Sequence, residues 1–136
     1  MSDRFTFPKS EKLCGNIRIK TLYDTGRHFT CYPLRVTYLL MPQEQSSPDS
    51  PSPLVLVWAG KSLFRRAVLR NRLRRLMREA YRLNALLLKE RCSADNVSMH
   101  VAFNYITKEV LDFSQIEKAM RKAIEKLIAV LEENHE

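Results

Sequence analysis

Glycine, cysteine and tryptophan are scarce in this 136-residue chain, with three, three and one copies. The glycines, at 15, 26 and 60, stand too far apart to form a phosphate-cradling loop. Cys14, Cys31 and Cys92 are odd in number, widely separated and without C-x-x-C spacing, which argues against a disulfide framework or a zinc site. A reducing cytoplasm fits that pattern best. No apolar run approaches the roughly 18 residues of a membrane span. The opening MSDRFTFPKSEK has no apolar stretch before its charges, so neither a signal peptide nor a membrane segment is expected. His28, His100 and His135 are scattered, and none has a partner at metal-ligand spacing. No Ser/His/Asp arrangement is visible either. The expectation is a chain with no catalytic residue, no metal ligand, no cofactor of its own and no small-molecule substrate.

Charge of one sign is also nearly missing from one place, and this carries the most information. Arg65 to Arg82 reads RRAVLRNRLRRLMREAYR, with eight arginines against the single acid Glu79. The rest of the chain nearly balances, with fifteen bases against fourteen acids, so almost the whole net charge of +8 sits in this segment. A block of that density points to a polyanionic partner.

The segment has no Gly or Pro and is built from strong helix formers. At about 100° per residue, Leu69, Leu73, Leu76, Met77, Ala80, Leu83 and Leu87 share one stripe roughly 120° wide. Arg70, Arg74, Arg75, Arg78 and Arg82, with Asn71, spread over the opposite side, and Arg72 borders the stripe. Such a helix buries its Leu/Met stripe and shows guanidinium groups to solvent. A merely solvated charged face would mix signs and use Lys and Glu, whereas here Arg excludes Lys entirely. Arginines at i, i+4 repel one another unless an anion lies over them, and their planar forks suit phosphate. Glu79 is expected to pair with Arg75 or Arg82.

At this length, with 45% apolar and 28% charged residues, residues 1–136 form a single domain with one real core. Residues 1–15 read as an irregular lead-in. Ile17 to Thr25, stopped by Gly26, reads as a short helix. Leu34 to Met41 is rich in β-branched and aromatic residues and reads as a strand. Residues 42–53 (PQEQSSPDSPSP) form a long Pro/Ser-rich loop, expected to be mobile. Leu54 to Gly60 (LVLVWAG) reads as a strand buried on both faces, with Trp58 in the core. The basic helix follows from about Phe64 to Lys89. In the next strand Val97, Met99, Val101 and Phe103 alternate inward against Ser98, His100, Ala102 and Asn104. A last helix opens at Ser114 with Glu117 at capping-box spacing, and runs on an Ile116–Leu131 apolar face. The order α-β-β-α-β-α predicts an α+β sandwich with helices packed on a sheet.

In that order of elements, Arg66 to Ala80 (RAVLRNRLRRLMREA) resembles the signature helix of the bacterial ribonuclease P protein family, centred on Arg70-Asn71-Arg72. The similarity covers about residues 10–130. The family fold that it implies is a two-layer α-β sandwich related to a ribosomal-protein domain, with a left-handed β-α-β crossover at the basic helix. The activity implied is that of an auxiliary subunit of an endoribonuclease. A catalytic RNA with bound Mg²⁺, held mainly by RNA, hydrolyses precursor tRNA to remove its 5′ leader, and the protein assists. The implied partners are the catalytic RNA and precursor tRNA, with the protein monomeric when free of RNA. Arg70, Asn71, Arg72, Arg74, Arg75 and Arg78 match the signature and should face the catalytic RNA, with Lys61, Arg66 and Arg82 beside them. The resemblance puts Ile19, Tyr23 and Tyr38 at a cleft for the 5′ leader, where aromatic rings stack unpaired bases at roughly 1–3 kcal/mol each. The other reading makes both tyrosines core aromatics with a wet hydroxyl. The chain departs from the family by retaining only Lys61 between its second strand and the basic helix, and by its long 42–53 loop.

Two other classes use the same basic face. One is a stand-alone structured-RNA-binding or ribosome-associated module. The other is a helix-in-groove DNA binder, for which neither heptads nor a helix-turn-helix pairing is present.

Overall fold

Within the described residues of the computed structural model (12–13, 15–42, 53–94 and 97–134), four strands and four helices form. They are α1 (Asn16–Thr25), β1 (Arg27–Cys31), β2 (Leu34–Pro42), β3 (Leu54–Trp58), α2 (Ala67–Asn84), α3 (Leu86–Ala94), β4 (Val97–Tyr105) and α4 (Phe113–Asn134). The predicted α-β-β-α-β-α frame is present, with β1 and α3 added to it. Most of the 42–53 loop, Cys14 and His135 lie outside the described residues.

The sheet runs β1-β2-β4-β3. β1 and β2 form a hairpin, β2 pairs antiparallel with β4, and β3 lies parallel to β4. A parallel neighbour demands a crossover, and α2 with α3 supplies it between β3 and β4. One face of the sheet presents Val36, Val55, Val57, Met99, Val101 and Phe103 to Leu73, Met77, Tyr81, Leu88, Ile116, Met120, Leu127 and Leu131 of the three later helices. Burying each such side chain stabilises the fold by about 1.5–3 kcal/mol. Over the other face a smaller cluster joins Leu13, Leu22, Leu54 and Ala102, with Ile19, Leu39 and Leu56 packed against it. This second cover buries Ser98, His100 and Ala102, which the alternation of β4 had assigned to solvent. The alternation sorts the side chains onto two faces correctly, but both faces are covered. The lead-in is likewise not wholly irregular, because the Leu13 amide donates to the Val55 carbonyl at 2.8 Å and Lys12 bridges Val55.

Gly26 ends α1 for a packing reason. A Cβ there would lie 2.4 Å from the Leu22 carbonyl oxygen and 2.7 Å from that of Tyr38, so the chain turns into β1 through a gap that only glycine fits.

The basic helix differs from expectation at both ends. It starts at Ala67 because residues 60–64 form a turn in which the Leu63 and Phe64 amides both reach the Gly60 carbonyl. It stops at Asn84, whose side-chain amide donates to the Ala80 carbonyl and to Glu117 on α4. The chain then restarts as α3, and the apolar stripe changes partners. Leu83 and Leu87 are exposed (42% and 67%), while Tyr81, Ala85 and Leu88 take the core positions. α4 is capped two residues ahead of the predicted Ser114, by a reciprocal pair. Asp112 Oδ1 accepts the Gln115 amide at 3.0 Å, and the Gln115 side chain accepts the Asp112 amide at 3.4 Å. Glu117 instead pairs with Arg121 at 2.7 Å.

Candidate nucleic-acid interface

Leu73, Met77 and Ala80 lie fully inside, with Leu69 and Leu76 packed against the same core, and this fixes the roll of α2. Arg65, Arg66, Asn71, Arg72 and Arg75 are then exposed, and Arg70, Arg74, Arg78 and Arg82 are partly buried around them. Arg82 is paired, its Nε donating to Glu79 Oε2 at 3.1 Å. That contact holds the Glu79 carboxyl below its usual range and raises Arg82. Arg72, Arg75 and Arg78 meet no acid among the described residues. No acid occupies the first turn of α2 either. The arginines there add to the positive end of the helix dipole with nothing to offset it, and an external anion relieves both.

Two arginines of the signature are engaged within the protein. Arg70 Nη1 donates to the carbonyls of Phe64 at 2.8 Å and Arg65 at 2.9 Å, tying the turn to the helix. Arg74 Nη2 donates to the Ala59 carbonyl at 3.1 Å, and its guanidinium carbon lies 4.3 Å from the centroid of the Trp58 ring. Burial, and then the charges of Arg70 and Arg78, pull the Arg74 guanidinium below its usual range. Lys61 is exposed on the turn that leads into α2.

Trp58 does not sit in the core as its apolar run implied, since 47% of its surface is open. Leu54, Val55 and Val57 are buried and Leu56 partly so, but the fifth residue stands at the end of the strand and is exposed.

Tyr23 and Tyr38 part company. The Tyr23 hydroxyl on α1 lies 3.0 Å from Asn104 Nδ2 and 3.2 Å from Oδ1, on the face that α1 covers. Ile19 packs beneath the same helix. Tyr38 belongs to the opposite face, where it packs on the main core with its ring centroid 6.0 Å from that of Phe29. Strand side chains alternate between faces, and Tyr38 is one step out of phase with Arg35, Thr37 and Leu39. It therefore cannot share a cleft with Tyr23.

On the α1 side the register aligns Thr30, Arg35, Asn104 and Trp58 at one level across all four strands. Thr30, Arg35 and Trp58 are exposed and Asn104 is half-buried. No charge cluster or motif in the sequence marks this row. A polar or wet position at the same phase of each strand was the available signal.

His28 is exposed on β1, whereas His100 is buried, and its imidazole is pushed down first by burial and then by Arg18. No group of three His, Cys, Asp or Glu side chains gathers among the described residues. Cys31 and Cys92 are free thiols. No helix among the described residues is long and apolar enough to cross a membrane.

Comparison with known proteins converges on one family. The family model described as Ribonuclease P matches residues 7–128. A ribonuclease P protein component of Porphyromonas gingivalis is 40% identical over 120 residues, covering 88% of this chain and 85% of the relative. That of Chlorobaculum tepidum is 36% identical over 92 residues, or 65% of this chain and 56% of the relative. The structure of the Staphylococcus aureus RNase P protein superposes with a TM-score of 0.63 at 17% identity, over 90% of this chain and 99% of that one, and so shares the fold. With an Arg-Asn-Arg helix in a matching sheet framework, and a family match spanning nearly its whole length, the chain belongs to the ribonuclease P protein family.

Proposed function

We propose that this chain is the auxiliary protein of a ribonucleoprotein endonuclease that removes the 5′ leader from precursor tRNA. In this reading α2 docks on the catalytic RNA. Arg66, Arg72, Arg75 and Arg78 bind phosphates, and Asn71 hydrogen-bonds a base edge or a 2′-hydroxyl. Arg70, Arg74 and Arg82 act in part by holding the helix and its neighbours in place. The α1 face, with Ile19 and Tyr23, receives the unpaired leader. Mg²⁺ is held mainly by the RNA, which performs the hydrolysis, and the particle works in the cytoplasm.

The single observation that carries this reading is the row of exposed arginines on α2 without acidic partners. Reconstitution tests it. The purified protein alone leaves precursor tRNA intact, and adding the cognate catalytic RNA at low Mg²⁺ gives leader removal faster than the RNA achieves unaided. Cleavage by RNA-free protein would overturn the assignment. Tight RNA binding with no change in rate would favour the stand-alone RNA-binding module instead.

A further inference from the structure

The lone tryptophan occupies an unusual position, half open at the end of an edge strand and yet held firmly. Arg74 reaches from α2 around the end of β3, anchored on the Ala59 carbonyl at 3.1 Å, and lays its guanidinium over the indole at 4.3 Å. The Arg74 Nε is buried with no hydrogen-bond partner, so this guanidinium is fixed by its contact with the ring and one carbonyl. Gly60 completes the seat, because a Cβ there would come within 3.2 Å of the indole nitrogen. A solvent-exposed indole usually loses more by ordering than it gains. Here two neighbours order it in advance, and nearly half of its surface stays open. Trp58 is also in register with Asn104, whose amide meets the Tyr23 hydroxyl, so it stands where the α1 face adjoins the arginine helix.

We infer that Trp58 is a nucleobase-stacking platform, positioned by Arg74, which takes an unpaired base of the 5′ leader next to the phosphates bound by α2. The ring supplies a flat, solvent-accessible π-face. A base lying on its open side leaves the indole between base and guanidinium, which has a cation–π contact with the ring and lends the site a positive charge beside the ribose-phosphate chain. Arg74 is thus a positioning residue for Trp58 and contacts RNA less than its place in the Arg-rich signature implies. The inference rests on the proposed leader-binding role of the α1 face.

Because the chain has one tryptophan, its fluorescence reports on this site alone. Titrating the full chain with a short single-stranded oligoadenylate should quench that emission saturably, and Arg74→Ala should shift the unliganded emission to the red by freeing the ring. In the holoenzyme reconstituted with catalytic RNA, Trp58→Ala should weaken leader-bearing precursor tRNA by about 5- to 150-fold, with leaderless mature tRNA affected far less. Trp58→Phe should recover most of the loss. Emission indifferent to saturating oligoadenylate overturns the platform, as does an equal loss for precursor and mature tRNA. The wild-type holoenzyme separates the two ideas. If it removes leaders while Trp58 stays silent, only the stacking site falls. If oligoadenylate quenches Trp58 but the wild-type protein never assists the RNA, the stacking site stands and the assignment to leader processing falls.

Discussion

α2 and α4 lie side by side and bury their apolar stripes in the same core, yet they treat charge in opposite ways. α4 carries four bases and four acids, and its acids engage its own arginine and that of α3, through Glu117–Arg121 and Arg91–Glu132. α2 carries six arginines and one glutamate, and that glutamate satisfies Arg82 alone. Surface ion pairs such as those of α4 stabilise little, so their value lies in leaving the face neutral to solvent. The outward face of α2 keeps its positive charge, with no acid against Arg72, Arg75 or Arg78 among the described residues. Two helices with the same inner chemistry thus differ in what their outer sides carry.

Removing charge from each helix in turn tests the contrast most severely. Arg72→Ala combined with Arg75→Ala should lower affinity for the catalytic RNA by about 100-fold or more, at roughly 1.5–3 kcal/mol per charged hydrogen bond. The slope of log affinity against log salt should flatten by about one for each lost phosphate contact. Lys118→Ala with Lys122→Ala on α4 should change both quantities little. Equal losses from the two helices in filter binding across a salt series would erase the distinction.

The shared inner half is checked by Leu73→Ala and Leu127→Ala. Each should cost about 2–5 kcal/mol in denaturant unfolding, since both side chains are fully buried. A much smaller loss in α2 would mean that its stripe is not core. Within α2, Arg70→Ala should cost about 1 kcal/mol by releasing the Phe64 and Arg65 carbonyls, while Arg72→Ala should stay within about 0.5 kcal/mol. Identical unfolding midpoints for these two variants would refute the structural role given to Arg70.

The smallest effect concerns pH and lies under α1. His100 is held below its ordinary pKa of 6.5, so the unfolded chain takes up the proton first as pH falls. Its contribution to stability is complete above about pH 6.5 and declines as pH drops from there toward the folded value. Melting temperature should therefore fall with acidification through that window, and His100→Gln should reduce the slope. An unchanged slope would show that the imidazole titrates freely.

Strong periodicity was legible in the sequence, and tertiary contacts were not. The Leu73–Met77–Ala80 stripe, the α4 face and the two-sided phase of β4 all follow from repeated spacing. β1 escaped notice because three of its five side chains, Arg27, His28 and Thr30, are exposed, as suits a strand at the sheet edge. The break after Asn84 has no Gly or Pro to announce it and comes from a hydrogen bond to Glu117, thirty-three residues away. Tyr38 takes the second of its two readings, a core aromatic, because its place in the hairpin with β1 sets the strand phase, which the resemblance alone leaves open. The hydropathy of its neighbours points Trp58 to the core, whereas its surroundings are set by Arg74 and by the end of β3. At the candidate interface the arginine row was visible as composition, but which arginines are engaged within the protein depended on carbonyl groups that no spacing reveals.

The amide of Leu13 joined to the carbonyl of Val55 has a consequence for how these molecules meet one another. β3 forms one margin of the sheet, and a bare margin is a template on which a second copy can extend the ladder. At Val55, near the start of β3, that template is already occupied by Lys12 and Leu13 of the same molecule. Another chain must peel them away before it can add there, which guards this margin against edge-to-edge pairing.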